Sequence, residues 1–443
     1  MSRGIIYRYN IIANNTIYAR WRKVKDAMSY PLPPYRVGIA GAGAFAAFLA
    51  GALATLPEFQ LTAVAGRTDE KRQRVLAAYR QRQGDVASPR EYREAVELIR
   101  DPDIDVVILS TPPHLHASLS KLALMQGKHV LLEKPGALTA AALKDNADLA
   151  TKQRRAFAVN LVLRYNPLVE AVEWMIRHRL LGRVYHASLH NAAHRVTPGH
   201  WFWNRNQSGG IFIEHGVHFF EVGRHWFGEP KDAHGFAITE ASGEQSRVWA
   251  SVIHLGCMRR GHARETQLPT KESGSKSLNE YVPVQYYHGF TMEKDAPEST
   301  QWEVHCAQGR IVLEGWIPQR LYVEGMLTEE QAKQIDALLD TVPMQPRADA
   351  YEQVRAWAAS RLSSDAPTSD HRSSSFISRL PYRRTLSLSD RQGWYEAMAQ
   401  ARFLDLCRMI QDPNWSGLVT LDDAIADLAL AESCTASESW QEG

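Results

Sequence analysis

Gly41-Ala42-Gly43-Ala44-Phe45-Ala46 sets small residues at G-x-G-x-x-A spacing directly after the apolar run Val37-Gly38-Ile39-Ala40. Each small residue meets a separate need of a pyrophosphate. Gly41 permits a tight turn, Gly43 lets the backbone approach the phosphates, and Ala46 lets the next helix pack on the strand. The helix start at Ala44 and Phe45 then turns its N–H groups toward the anion. Such spacing is common in Ala/Gly-rich helices, so it counts only in a strand–turn–helix setting, which this stretch has. The next strand ends in Ala65-Gly66-Arg67-Thr68, where an enzyme using NAD usually carries an acid for the ribose hydroxyls. An acid would repel a 2′-phosphate, whereas Arg67 can form charge-assisted hydrogen bonds to it, with the Thr68 hydroxyl beside it. The expected cofactor is therefore NADP in preference to NAD. Further along, Lys134 in Glu133-Lys134-Pro135 ends another strand, the position where open α/β sheets bind ligands.

These residues need a scaffold, and the hydrophobic pattern predicts one. Residues 36–40 read as a buried strand and 44–56 as a helix, followed by a strand at Leu61–Ala65 and a charged helix at Asp69–Gln83. Helices at Glu91–Arg100, Leu115–Gln126 and Ala140–Gln153 alternate with strands at Ile104–Ser110, His129–Leu132 and Phe157–Leu163. That alternation implies βαβ units and a parallel sheet, a dinucleotide-binding domain over residues 36–155. After Asn166-Pro167 and one amphipathic helix come strands at Val184–His190, Gly235–Thr239, Val248–Leu255, Gln285–Met292, Glu303–Ala307 and Arg310–Trp316. Residues 156–443 are thus expected to form an α+β substrate and oligomerisation domain around a large, mostly antiparallel open sheet, spanning about 184 to 325. Polar, Ser-rich stretches at 259–280 and 362–379 read as insertions, and helical periodicity returns from Trp394 to Ser437.

Two cores are the expectation for 443 residues. With 44% hydrophobic and 23% charged residues and a formal charge of +2, no dense basic stripe points to nucleic acid or an anionic membrane. Cys257, Cys306, Cys407 and Cys434 show no C-x-x-C pairing, which fits a reducing, cytoplasmic setting without a disulfide framework or a cysteine zinc site. Between Val37 and Gln60 the only charge is Glu58, but the run is mostly Ala and Gly and breaks into strand, turn and helix, so no membrane span is expected. Residues 1–35 are a basic leader whose first acid is Asp26, ending in the linker Pro31-Leu32-Pro33-Pro34.

Four blocks carry a likeness in order: the glycine turn at 38–46, Asp103-Ile104-Asp105-Val106-Val107-Ile108-Leu109-Ser110-Thr111-Pro112-Pro113-His114-Leu115-His116, Val130-Leu131-Leu132-Glu133-Lys134-Pro135, and Ser208-Gly209-Gly210-Ile211-Phe212-Ile213-Glu214-His215-Gly216-Val217-His218. Arg164-Tyr165-Asn166-Pro167 is a weaker fifth. On these the chain resembles the glucose–fructose oxidoreductase and inositol dehydrogenase family, written Gfo/Idh/MocA. The resemblance implies a Rossmann domain followed by a domain with an open sheet used for homo-oligomer contacts. It implies an NAD(P)-dependent dehydrogenase or reductase moving a hydride to or from a carbinol or ketone carbon of a sugar, cyclitol or related polyol. It points to Lys134 near the nicotinamide, and to Ser110, Thr111, Pro112, His114, Glu133 and Arg164 along the dinucleotide. The family's Asp and His, four residues apart on a helix, match Glu214 and His218, so this chain departs from the pattern by one methylene. In that reading His218 exchanges the hydroxyl proton, Lys134 bonds the same oxygen, and Glu214 orients or tunes the imidazole. His194, His200, Trp201, Trp203 and Arg205 form a sugar platform or else pack in the core or rim. Three rival readings remain open at this point. One is a metal enzyme using the Glu-His-x-x-His cluster at 214–218 or His186, His190 and His194. A second is a glycosidase-like enzyme that oxidises its sugar transiently with bound NAD. The third is a dinucleotide sensor without catalysis.

Overall fold

The computed structural model describes residues 34–83, 88–256, 280–362, 378–435 and 438–441. Six strands, β1 (Tyr35–Ala40), β2 (Phe59–Ala65), β3 (Arg90–Tyr92), β4 (Val106–Leu109), β5 (His129–Leu132) and β6 (Phe157–Val159), form one sheet in the order β3-β2-β1-β4-β5-β6. Every pairing in it is parallel. The central strands are apolar on both faces, as a sheet covered by helices on both sides requires. The direction of winding reverses between β1 and β4, and the crevice at such a point is where these sheets bind ligands. The apolar run at Val37–Gln60 resolves into β1, the glycine turn, helix Ala44–Leu53 and the start of β2. Among the described residues no helix is long and apolar enough to cross a membrane.

Two details differ from the sequence reading. Arg90–Tyr92 is a short edge strand rather than the start of a helix, which begins only at Ala95 behind a capping box made by Glu94 and Glu97. The sixth parallel strand lies just past the expected boundary at 155 and is only three residues long.

Among the described residues the second sheet has nine strands: β7 (Val184–His194), β8 (Pro230–Thr239), β9 (Gln245–Leu255), β10 (Tyr281–Met292), β11 (Ser299–Cys306), β12 (Gly309–Glu314), β13 (Arg320–Leu327), β14 (Leu380–Ser387) and β15 (Glu438–Gln441). Their order is β14-β13-β12-β11-β7-β10-β9-β8-β15, antiparallel except at β7/β10 and β8/β15. The six expected strands are present, the first five lengthened and the sixth one residue shorter, at Gly309–Glu314 in place of Arg310–Trp316. The last three, and helices Glu329–Leu339 and Ala350–Leu362, extend the domain beyond what the pattern predicts. The stretch 259–279, most of 362–379, and residues 1–33 lie outside the described residues.

The C-terminal helices tie the two sheets together. Helix Arg391–Gln411 buries Ala399, Phe403, Leu406 and Cys407 in the core formed by β1, β2 and helix Ala44–Leu53. Helix Leu421–Thr435 packs on helices Val217–Phe227 and Ala140–Gln153 and on β8.

Candidate active site

At the crevice between β1 and β4 the turn demands glycine. Gly41 has φ +107°, and a Cβ there would stand 2.1 Å from the Ser110 carbonyl oxygen. Helix Ala44–Leu53 starts at Gly43 with no side chain capping its first N–H groups. A Cβ on Gly43 would meet nothing within 4 Å, so the helix start faces open space while Ala46 is fully buried beneath it. The Thr111 hydroxyl beside this turn is buried without a partner. An uncapped helix N-terminus, an open approach and an orphaned hydroxyl fit a dinucleotide phosphate. At the end of β2, Arg67 and Thr68 are exposed. A second guanidinium stands beside them that sequence reasoning missed: Arg72 donates to the Gly66 carbonyl at 2.5 Å and pairs with Asp69 and with Glu91 at 2.9 Å.

Lys134 reaches across to the second domain. Its Nζ donates to the backbone oxygen of Glu214 at 2.9 Å and to its Oε1 at 2.7 Å. Both side chains are mostly buried, at 19% and 12% exposure, so the pair sits in a medium that strengthens the contact. Glu214 lies on a single π turn, Phe212–Gly216, that runs into helix Val217–Phe227. Such turns re-aim side chains and recur at functional sites. Here the carboxylate takes Lys134, while the imidazole it was expected to orient keeps a buried Nδ1 with no partner. The longer side chain and the π turn together account for that difference. Burial, then Lys134 and His215, hold the His218 pKa well below the usual imidazole value, so the ring is neutral at physiological pH. Nε2 is the nitrogen left to meet solvent or substrate. Neighbouring His215 is pushed down to about 3 by burial and by Lys134.

Glu133 points the other way along the strand end and is buried. Asn160 Nδ2 donates to its Oε1 at 2.6 Å, yet desolvation outweighs this bond and Lys134, pushing the carboxyl up to about 8 from 4.5. A raised acid takes up a proton on folding. Its contribution is therefore fully present below about pH 4.5 and lost as pH rises through about 8. Glu133→Gln should remove a pH-dependent loss of a few kcal/mol between about pH 5 and about pH 9. Melting temperatures of both proteins across that range check it; parallel curves would refute the assignment.

The remaining expected residues divide. Ser110, Thr111 and Pro112 line the crevice edge, and His114 is exposed. His116, which sequence reasoning left aside, is wholly buried, with its two ring nitrogens 2.7 Å from the carbonyl oxygens of Pro135 and Thr111. Arg164 is turned inward: Glu221, Asp423 at 3.3 Å and the Leu418 carbonyl at 2.9 Å fill its donor fork. Those partners leave the guanidinium tying the C-terminal helices down, not free along the crevice. His194 bonds the Ala296 carbonyl, Trp203 Nε1 the Val196 carbonyl, and Arg205 reaches the Thr435 carbonyl at 3.4 Å. Trp203 and Arg205 line a cleft of about 110 Å³ with Gly210, Thr239 and Gln245; Lys134, Glu214 and His218 are not in its lining. Among the described residues no three His, Cys, Asp or Glu side chains group as metal ligands.

Two aromatic residues at the site carry no local signature. The Trp316 ring lies 5.0 Å from the His218 ring and 5.8 Å from that of Tyr395. Tyr395 in turn lies 5.9 Å from Phe45 at the glycine turn and 4.6 Å from Phe48.

Known proteins match the chain in two parts. Residues 35–161 match the oxidoreductase family with NAD-binding Rossmann fold, and residues 169–257 match the GFO/IDH/MocA C-terminal domain. A trans-1,2-dihydrobenzene-1,2-diol dehydrogenase of Bos taurus is 30% identical over 200 residues, 44% of this chain and 57% of that enzyme. The chain spans 38–43% of the length of three other curated relatives it matches. A 3-ketoreductase from Actinomadura kijaniata, solved with NADP, superposes with a TM-score of 0.63 at 15% identity, covering 93% of this chain and all of that one. A levoglucosan dehydrogenase solved with NADH gives 0.60 at 17% identity, covering 90% of this chain and 97% of that one. At such identities the structural likeness speaks for the fold.

Proposed function

The chain belongs to the Gfo/Idh/MocA oxidoreductase family, and from that premise we propose that it is a dehydrogenase or reductase acting on a secondary alcohol or ketone of a sugar, cyclitol or related diol. The observation that carries this reading is the Lys134–Glu214 contact between the two domains, with His218 one turn further on, beside the open glycine turn. A bound nicotinamide supplies or takes the hydride. The protein's own part is to hold the substrate oxygen and move its proton. Lys134 Nζ donates to that oxygen and stabilises the charge that develops on it. His218 Nε2, neutral because the ring is buried, accepts the hydroxyl proton in oxidation. Glu214 fixes the Lys134 ammonium in place through two oxygens.

NADP(H) is the proposed cofactor, supported by the exposed guanidinium of Arg67 and the absence of an acid in Gly66-Arg67-Thr68. The same reading carries a homo-oligomer through the open face of the second sheet, where Phe236, Trp249 and Trp440 stack, in the cytoplasm.

Screening purified protein against sugars, cyclitols, cyclic diols and their keto forms with both cofactors tests the reaction; no change in nicotinamide absorbance with any of them would count against it. Calorimetric titration tests the cofactor. NADP(H) should bind tighter than NAD(H) by about 1.5–3 kcal/mol, one good charged hydrogen bond. Arg67→Ala should erase most of that gap and leave NAD(H) affinity nearly unchanged. Equal affinities in the wild type would overturn the preference.

A further inference from the structure

We propose that His116 is a positioning residue of the reaction, a ring carrying a proton on both nitrogens that ties the strand end bearing Lys134 to the one bearing Thr111. The inference rests on the reading of Lys134 as the group that holds the substrate oxygen.

β4 and β5 run side by side as far as Leu109 and Leu132. One more backbone bond follows, from Glu133 N–H to the Leu109 carbonyl at 2.9 Å. Past it, among the described residues, no backbone hydrogen bond joins Ser110-Thr111 to Lys134-Pro135. His116 bridges that gap. Its Nδ1 stands 2.7 Å from the Pro135 carbonyl oxygen, and its Nε2 2.7 Å from the Thr111 carbonyl oxygen. The first carbonyl is the one next to Lys134. The second belongs to the residue whose hydroxyl is orphaned beside the glycine turn. The ring is also held from below. His116 opens helix His116–Met125, and its own carbonyl accepts from Ser120 Oγ at 2.6 Å. Asn146 Nδ2 donates to that hydroxyl at 2.9 Å and to the Ala117 carbonyl at 2.8 Å.

A carbonyl oxygen only accepts, so a ring that bonds one at each nitrogen needs an N–H at each. A neutral ring would set a bare lone pair against an oxygen at 2.7 Å, a contact that repels. His254 shows how a packing histidine avoids this. It is as fully buried, but its partners are the Gly228 carbonyl at 2.7 Å and the Tyr286 hydroxyl at 3.0 Å. That hydroxyl can donate to a neutral ring. Among the buried imidazoles of the described residues, only His116 has a carbonyl at both ends. Burial pulls its pKa down and Lys134 and His114 add to that, while the two carbonyls act the other way. Glu214 meets the charge of Lys134 and so lessens its opposition. The two short contacts favour the charged ring, because charge-assisted bonds are the shorter and stronger kind. Losing one proton would release one carbonyl, and the gap between Lys134 and the dinucleotide side of the crevice would no longer be fixed. A misplacement of about 1 Å at a reacting centre costs about a hundredfold in rate.

The first test needs neither a variant nor a substrate. Neutron diffraction from crystals of the full, deuterated chain at neutral pH should show deuterium on both ring nitrogens of His116. Deuterium on one alone overturns the proposal. The second test uses His116→Gln, whose single amide nitrogen reaches one carbonyl at a time. Acylation of Lys134 by an N-hydroxysuccinimide ester, read by peptide mass spectrometry, should then speed up about three- to tenfold, the worth of one hydrogen bond. Buried Lys128, which bonds the Asp101 and Ile104 carbonyls, should stay as slow as in the wild type. An equal rise at both lysines would mean general loosening, and no rise at Lys134 would mean no tether; either result sinks the positioning role. Should the glutamine variant fail to fold, the neutron map decides alone. On whichever substrate the screen finds, His116→Gln should lower kcat about 10–100-fold, with KM and NADP+ affinity nearly unchanged. An unchanged kcat, or a loss confined to KM, also overturns the positioning role. A doubly protonated ring and a loosened Lys134 in a protein that turns over no substrate would sink the redox reading and leave the tether standing.

Discussion

Lys134→Ala and His218→Ala should each lower turnover by about 10²–10⁴-fold, the range for a positioned proton-transfer group. The double variant should fall little below either single one, because both side chains act on one substrate oxygen. Cofactor affinity should barely change with His218→Ala, since His218 lies on helix Val217–Phe227 of the second domain. Glu214→Gln separates two roles for the carboxylate. Glu214 holds Lys134 and makes no hydrogen bond to His218, so its effect should vanish in a Lys134→Ala background and be as small in a His218→Ala one as that of Lys134→Ala there. The acid limb of the pH profile gives an independent check. Only neutral His218 can accept a proton, and its pKa lies well below 6.5. In the oxidation direction kcat/KM should therefore stay flat as pH falls through about 6.5, where an unperturbed histidine would be half protonated. Near-wild-type turnover in His218→Ala, or an acid limb centred on the ordinary imidazole value, would remove this assignment.

The dinucleotide half was the more legible in sequence, for a physical reason. Strands buried on both faces, such as Val106–Leu109 and His129–Leu132, read as continuous apolar runs, and the helices between them carry their own periodicity. Helices Asp69–Gln83 and Ala140–Gln153 start and stop where the pattern predicts. Edge strands carry less signal. β14 exposes or half-exposes every side chain from Leu380 to Ser387, so it has no apolar face to alternate, and its existence depends on pairing with β13. The same limit applies to the site. Lys134 and His218 sit in local motifs, so the pattern can single them out as candidates. Trp316 and Tyr395 come together from a turn and a helix 79 residues apart, and nothing in either neighbourhood marks them. Arg164 shows the reverse error. It sits in a motif, but its partners Glu221 and Asp423 lie far along the chain, and only the fold reveals that its donors are already used.

Asp405→Ala should destabilise the protein by about 3–5 kcal/mol, the cost of stranding a buried charge. Asp405 has no exposed surface, and Arg402 is 1% exposed. The carboxylate accepts from Arg402 Nη1 at 2.9 Å, Tyr165 O–H at 2.6 Å, Trp415 Nε1 at 2.7 Å and Leu418 N–H at 2.9 Å. Arg402 also donates to the Tyr165 hydroxyl at 2.8 Å and to the Val159 carbonyl at the end of β6 at 2.8 Å. This cluster fastens helix Arg391–Gln411 to the parallel sheet and to the loop that also anchors Arg164 through the Leu418 carbonyl. Removing the carboxylate leaves a guanidinium that burial cannot neutralise, together with a phenol, an indole N–H and a backbone N–H short of an acceptor. Asp405→Asn keeps two polar atoms of similar shape and should cost less. Replacing both members, Asp405→Leu with Arg402→Met, should recover the part of the loss that comes from the stranded charge, while the phenol, the indole and the backbone N–H stay short of an acceptor. A double-mutant cycle in melting temperature and denaturant midpoint reads this directly. Additive losses, with the double variant as unstable as the two single ones combined, would show that the pair is not coupled. The same helix presents Tyr395 to the glycine turn, so Asp405→Ala should also weaken cofactor binding before global unfolding sets in. Limited proteolysis with and without NADP+ would detect that early loosening as cleavage between residues 391 and 420.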